Sequence, residues 1–319
     1  MSLPSERTVS AQAPIFVVMN AGSGDIDAQK RETTIREVLS QAGRPHRLWL
    51  VSDLDQLSAT ARQAVELALQ QQGVVVAAGG DGTINTVAQA ALDGGCLFGV
   101  LPQGTFNYFS RTHGIPIDTA EATKVLLHGL VRPVQVGLIN DRLFLVNASL
   151  GLYPKLLENR EAHKQKFGRT RLVAFLSALM TLLSPHRHLV LTLEEGGERQ
   201  VMQTATLVVE NNPLQLEEVG LSEASAVQQG ELAAIVVKAK GVLQMLSVVA
   251  RAAIGRLGQA DTVSTFSFTS LTVRPLRQRP IKIATDGEVS WLIPPLVFRV
   301  APRPLLLMVP MPETKGAAS

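Results

Sequence analysis

Gly79-Gly80-Asp81-Gly82-Thr83 follows directly on the apolar run Val74–Ala78 and precedes apolar residues at helical spacing, Ile84, Val87, Ala88 and Ala91. Glycines between a strand and a helix let the backbone turn tightly and approach a ligand. The helix that opens near Thr83 offers unpaired N–H groups and the positive end of its dipole, for which phosphate is the natural partner. Asp81 inside such a loop points to Mg2+ or to a proton acceptor. Two more loops have the same setting. Asn20-Ala-Gly-Ser-Gly24 leaves the run Ile15–Met19, and Pro102-Gln-Gly-Thr105 leaves Leu97–Leu101. In a parallel sheet all three lie at carboxyl ends of strands, where ligands bind. The Lys-Ser/Thr pair of a P-loop is absent, as is a GxGxxG fingerprint after the first strand, which argues against hydride chemistry with a dinucleotide.

These loops need a scaffold, and the first part of the chain supplies one. Strand signals at Ile15–Met19, Leu48–Val51, Val74–Ala78 and Leu97–Leu101 alternate with helix signals, among them Leu57–Leu69. That alternation predicts a parallel sheet with helices on both sides. Near Pro133 the style changes. Val134–Leu138 and Leu143–Ala148 flank Ile139-Asn-Asp-Arg142, and Leu189–Leu193 and Val201–Val209 flank Glu194-Glu-Gly-Gly-Glu198, both read as hairpins. The runs Leu232–Val237, Thr262–Val273 and Ile281–Ala284 continue the β character. The expectation is an α/β nucleotide-type domain over 13–133 and an antiparallel β-sandwich over 134–312, with loose tails at 1–12 and 313–319. Helical stretches at Lys155–Leu183 and Val242–Leu257 interrupt the second domain.

Composition narrows the classes. The chain has 319 residues, 46% apolar and 18% charged, enough for two cores and not a disordered chain. A single cysteine, Cys96, excludes a disulfide framework and reads as a core thiol. A formal charge of +3 and 4% aromatics argue against a nucleic-acid partner. No apolar run reaches the roughly 18–20 residues of a membrane span, and the N-terminus lacks a secretory h-region.

The ordered set Gly79-Gly-Asp-Gly-Thr-Ile-Asn85, Leu101-Pro-Gln-Gly-Thr-Phe-Asn107 and Thr285-Asp-Gly-Glu288 resembles the diacylglycerol kinase catalytic family, which includes bacterial lipid kinases, sphingosine kinases and ceramide kinases. Asn147-Ala-Ser-Leu-Gly151 and Glu210-Asn-Asn-Pro213 are similar to strands of that family's second domain. The resemblance runs from about Ile15 to Pro310. It implies an ATP-dependent, Mg2+-assisted transfer of the γ-phosphoryl group to a lipid hydroxyl, diacylglycerol-like or sphingoid, in a cleft between the two domains. By position, Asn20, Ser23, Gly79, Gly80, Gly82, Thr83, Gly104, Thr105 and Asn107 hold the nucleotide. Asp81 lies near phosphates and metal, Glu288 is the second metal candidate, and Asp286 is the first choice of base with Asp81 the alternative. Taken alone, Asp286-Gly-Glu288 also reads as a polar hairpin turn.

The chain departs from the family at three often-acidic positions, occupied here by Thr86, Tyr108 and Gln229. Two other readings therefore stand beside the lipid kinase: a kinase for a soluble acceptor such as NAD, whose kinases share the GGDGT loop, and a non-catalytic nucleotide-binding regulatory protein. A lipid acceptor implies a cytoplasmic protein in peripheral contact with an anionic membrane at its inner face. The basic-apolar stretch Lys164–Arg187 is the expected docking surface, helped by Arg251 and Arg256. A homodimer is an admissible assembly.

Overall fold

The computed structural model describes residues 7–21, 26–104, 107–152, 154 and 188–312. It divides into two compact units, residues 1–135 with 302–319, and residues 136–301. Ser23, Thr105 and the stretch Lys164–Arg187 lie outside the described residues.

The first unit is built on a seven-stranded sheet in the order β1-β6-β19-β5-β4-β2-β3. Its strands are β1 (Arg7–Thr8), β2 (Ile15–Asn20), β3 (His46–Val51), β4 (Val74–Gly79), β5 (Leu97–Pro102), β6 (Leu130–Val134) and β19 (Leu305–Val309). β3, β2, β4, β5 and β19 run parallel, and β6 and β1 close one edge antiparallel. β4 is buried along its whole length because both its neighbours and the helices cover it, which is why its sequence is an unbroken apolar run. The helices are α1 (Ile26–Gln41), α2 (Leu54–Gln70), α3 (Asp81–Gly94), α4 (Tyr108–Thr112) and α5 (Thr119–His128). Asp53 and Asp118 cap α2 and α5 by accepting backbone N–H bonds.

The second unit is a sandwich of two six-stranded antiparallel sheets, β11-β10-β15-β18-β7-β8 and β14-β13-β12-β9-β16-β17. The strands are β7 (Gly137–Ile139), β8 (Arg142–Phe144), β9 (Asn147–Gly151), β10 (Leu189–Glu195), β11 (Glu198–Thr204), β12 (Thr206–Glu210), β13 (Leu232–Val237), β14 (Val263–Phe268), β15 (Ser270–Pro275), β16 (Ile281–Thr285), β17 (Glu288–Leu292) and β18 (Leu296–Val300). The inner faces meet in one core that includes Phe144, Leu191, Leu207, Phe268, Ile283 and Phe298. The outer face of the second sheet is covered by α6 (Pro213–Glu218), α7 (Ala224–Gln228) and α8 (Val242–Ala253).

Two features differ from the sequence expectation. The sequence style assigns residues 302–312 to the second domain, yet β19 pairs with β5 and β6 of the first sheet, and the first break falls after Gln135. A β-rich segment following β-strands carries no local mark of the sheet that will receive it. Three apolar runs read as single strands are each two strands in opposite sheets. β8 passes to β9 through Leu145-Val146, β11 to β12 through Ala205, and β14 to β15 through Thr269. At the second corner the Thr204 hydroxyl lies 2.7 and 2.8 Å from the carbonyls of Thr206 and Val237 and serves the turned backbone.

Candidate active site

In the first unit, β4 ends at Gly79 and α3 starts at Asp81. A Cβ on Gly79 would lie 2.7 Å from both Cβ and Oγ1 of Thr83, so a side chain there would displace the first helical turn. Gly80 is the N-cap of α3 and brings no capping side chain, which leaves the first-turn N–H groups to an outside acceptor. Asn20, at the end of β2, donates from Nδ2 to Thr83 Oγ1 at 3.3 Å. The third loop is tied in by Gln103, whose N–H donates to the Gly79 carbonyl at 2.8 Å.

Asn107 is buried in the left-handed conformation with φ of 48° and locks that third loop. Its Oδ1 accepts from Gly104 N–H at 3.1 Å and its Nδ2 donates to the Gly104 carbonyl at 2.8 Å. A Cβ on Gly104 would stand 3.4 Å from Gly80 Cα and 3.6 Å from Asp81 Oδ2. Asn20, Gly79, Gly80, Asp81, Thr83, Gly104 and Asn107 are therefore one cluster, with Gly82 in the first turn of α3. Burial raises the Asp81 carboxyl above its ordinary range, while its own backbone N–H opposes the shift. That carboxylate is partly desolvated and suits a cation. Thr86, at an often-acidic family position, donates its hydroxyl to the Gly82 carbonyl at 2.9 Å and so belongs to the helix. Tyr108 stacks with Arg111, and Gln229 is exposed after α7.

In the second unit, Asp286-Gly287 is the two-residue turn between β16 and β17, with φ of 48° and 89° as a type I′ turn requires. The turn reading of this pair holds. The Asp286 carboxylate accepts three backbone N–H bonds from the corner between β8 and β9: Leu145 at 2.7 Å, Val146 at 2.8 Å and Asn147 at 3.0 Å. Asn211 grips the other side of that corner. Its N–H donates to the Val146 carbonyl at 2.7 Å and its Nδ2 to the Leu145 carbonyl at 2.9 Å. Glu288 opens β17; surrounding protein raises its carboxyl and Arg142 opposes the rise.

Glu210, Asn147 and Asn211 were not singled out as site residues from the sequence, although their segments carried the family resemblance. The available signal was a polar residue at the end of an otherwise apolar strand: Asn147 opens β9 and Glu210 closes β12. Asn212 has a separate task, capping α6 by accepting from Gln215 N–H, with Pro213 at the first helical position.

Among the described residues no group of three or more His, Cys, Asp or Glu side chains is arranged to hold a metal. A Mg2+ that enters with phosphates needs no such cage, since one or two carboxylates and phosphate oxygens suffice. Asp81 fits that demand.

A sequence profile of the diacylglycerol kinase catalytic domain matches residues 14–139. A diacylglycerol kinase of Bacillus subtilis (strain 168) is 41% identical over 96 residues, 29% of this chain and 32% of its own. A YegS-like lipid kinase of Klebsiella pneumoniae (strain 342) is 34% identical over 139 residues, 42% of this chain and 45% of its own. The chain thus spans less than half the length of these two relatives. A solved structure of a diacylglycerol kinase from Bacillus anthracis (strain Sterne) shares the fold, with a TM-score of 0.69 over 93% of this chain and 97% of that one, at 20% identity. Residues 14–139 are thus a member of the diacylglycerol kinase catalytic domain family.

Proposed function

We propose that the protein is a lipid kinase that moves the γ-phosphoryl group of ATP to a lipid hydroxyl. The observation that carries this reading is the side-chain-free cradle at the start of α3, closed by Asn20 on one side and by Gly104 and Asn107 on the other. The family match and the two relatives named as lipid kinases support it.

Phosphoryl transfer is mostly positioning and charge neutralisation. The first-turn N–H groups of α3 receive phosphate oxygens, and Gly79, Gly80 and Gly104 keep side chains out of their way. Ser23 and Thr105 join them by resemblance. Asp81 would hold Mg2+, which when bound supplies positive charge against the phosphates. Asp286 is an anchored anion: backbone amides of Leu145, Val146 and Asn147 hold its carboxylate, and it is the group assigned to the acceptor hydroxyl. It orients that oxygen and takes its proton as the phosphoryl group arrives, with Asp81 the alternative acceptor.

No helix among the described residues is long and apolar enough to cross a membrane. Contact with the bilayer is assigned here to a surface, and α8 supports it. Leu243 is 83% exposed and Ile254, just beyond α8, is 65% exposed, with Arg251 and Arg256 alongside.

The test is transfer of labelled phosphate from ATP to diacylglycerols, sphingoid bases and other hydroxylated lipids in mixed micelles with Mg2+, with NAD as the soluble control. A labelled lipid is expected. Folded, nucleotide-binding protein that labels no lipid would sink the reading, and NADP formation would assign a soluble acceptor instead.

A further inference from the structure

Glu210 is a buried acid to which the mechanism above gives no task. It closes β12, is 5% exposed, and its Oε2 has no hydrogen-bond partner among the described residues. Strand register places it opposite Asn147 of β9. On the other side of β9, Ala148 faces Thr285 of β16, and the next residue, Asp286, donates its N–H to the Asn147 carbonyl at 2.9 Å. Glu210 and Asn147 thus stand side by side on adjacent strands, about 4.8 Å apart, and Asp286 sits on the far side of Asn147 just past the end of β16.

The two carboxyl groups are provided for unequally. Asp286 accepts three backbone N–H bonds, each favouring its ionised form. Glu210 receives a hydrogen bond from Asn147, whose amide also donates to Gln215 Oε1 at 3.0 Å. Burial pushes the Glu210 carboxyl well above the usual range, the negative charge of Asp286 pushes it further, and Asn147 opposes both. Other charged residues on the surrounding elements are Glu231 before β13, Glu217 and Glu218 on α6, and Lys282 on β16. Burial and the charge of Asp286 act on Glu210 in the same direction, while three amides favour the ionised form of Asp286, so Glu210 is the member of the two that retains a proton.

We propose that Glu210 is a positioning residue, the proton-carrying member of a carboxyl pair whose charged member is Asp286, and that it keeps Asp286 seated on the Leu145–Asn147 corner. The inference rests on the reading of Asp286 as the residue that receives the acceptor hydroxyl. Removing the proton from Glu210 puts a second charge beside Asp286 and loosens the seat. For an acid whose folded pKa is raised, folding is favoured most where both states are protonated. That advantage falls as pH rises from the ordinary glutamate range through the folded value.

The full chain and its Glu210→Gln variant test this, with Glu210→Ala as a cavity control. Infrared spectra of the intact protein are expected to show a protonated carboxyl band at neutral pH that Glu210→Gln lacks. The unfolding midpoint of the parent is expected to fall as pH rises above the ordinary glutamate range, and that fall is expected to shrink in Glu210→Gln. The alkaline limb of phosphoryl transfer should move in the same variant, which a merely structural glutamine would not do. Absence of the band in the parent, or identical pH dependence in parent and Glu210→Gln, overturns the pair. The spectra and midpoints need no turnover: if both behave as expected while no lipid is phosphorylated, the pair stands and the kinase reading falls.

Discussion

Asp286 and Asn147 exchange two hydrogen bonds in opposite senses: the Asn147 N–H donates to Asp286 Oδ1 at 3.0 Å, and the Asp286 N–H donates to the Asn147 carbonyl at 2.9 Å. The residues are 139 positions apart in sequence, so this reciprocal pair fastens a turn to a corner where the chain changes sheets. One carboxylate thereby serves both the fold and the proposed chemistry.

Asp286→Asn should therefore show two deficits. Its amide can replace only some of the acceptor positions, so stability should drop by about 1–3 kcal/mol. Turnover should fall at least ~100-fold, the scale of a lost acid–base group. Denaturant unfolding and lipid phosphorylation, measured on the same preparation, check both. Unchanged stability would mean that the three amides are not held by this side chain.

Asp81→Asn should separate stability from activity. Burial raises the Asp81 carboxyl, so the ionised group opposes folding, and this opposition grows as pH climbs above the ordinary aspartate range. The neutral amide should leave the unfolding midpoint at pH 7 equal or higher while turnover falls ~100-fold or more. A lowered midpoint would show that the carboxylate has a stabilising partner.

Gly79→Ala probes the cradle. The added Cβ would meet Thr83 at 2.7 Å. A cost of about 1–3 kcal/mol is expected from overpacking, with ATP affinity down by roughly tenfold or more as the first turn of α3 shifts. Titration calorimetry with nucleotide reads the second effect. Parental affinity would show that phosphate binding does not depend on this turn.

His113 makes acid sensitivity predictable. Burial and the charge of Arg132 lower its pKa to about 4, and its ring packs edge-on against Phe109 with centroids 4.7 Å apart. Because the folded value lies below the ordinary one of 6.5, the neutral ring contributes stability that is lost as pH falls from about 6.5 to about 4. His113→Phe should flatten that part of the profile of unfolding midpoint against pH.

Docking through α8 would be visible in liposome sedimentation. Arg251→Glu with Arg256→Glu should weaken pelleting with anionic vesicles, each charge being worth about 1 kcal/mol near such a surface, and salt should weaken it in the parent. Leu243→Ser should also weaken it, through lost apolar insertion rather than lost charge. ATP binding is expected to persist in both variants. Pelleting that neither of them changes would place the contact elsewhere.

The parallel strands of the first unit were readable because doubly covered strands leave continuous apolar runs, as in Val74–Gly79. The loops that follow them were readable because glycine at Gly79, Gly80 and Gly104 answers to close approach rather than to composition. What the residues did not disclose is long-range. Ala205 and Thr269 look like interior strand positions, yet each is a corner, since periodicity does not say which sheet a strand will join. Asp286 was recognisable as a turn residue and by resemblance, but its three partners at Leu145–Asn147 depend on tertiary placement. Glu210 looked like a polar strand end, and only burial beside Asp286 gives it a distinct chemistry.

The strand β19 lies inside the first sheet, between β5 and β6, although it follows the whole of the second unit in the chain. On the ribosome, residues 136–301 emerge as an uninterrupted stretch and can complete their sandwich while the first sheet still has an open slot. That slot exposes the edges of β5 and β6 until Leu305–Val309 arrives. Nascent chains stalled before residue 305 should therefore need chaperone cover, and those stalled well beyond 309 should not.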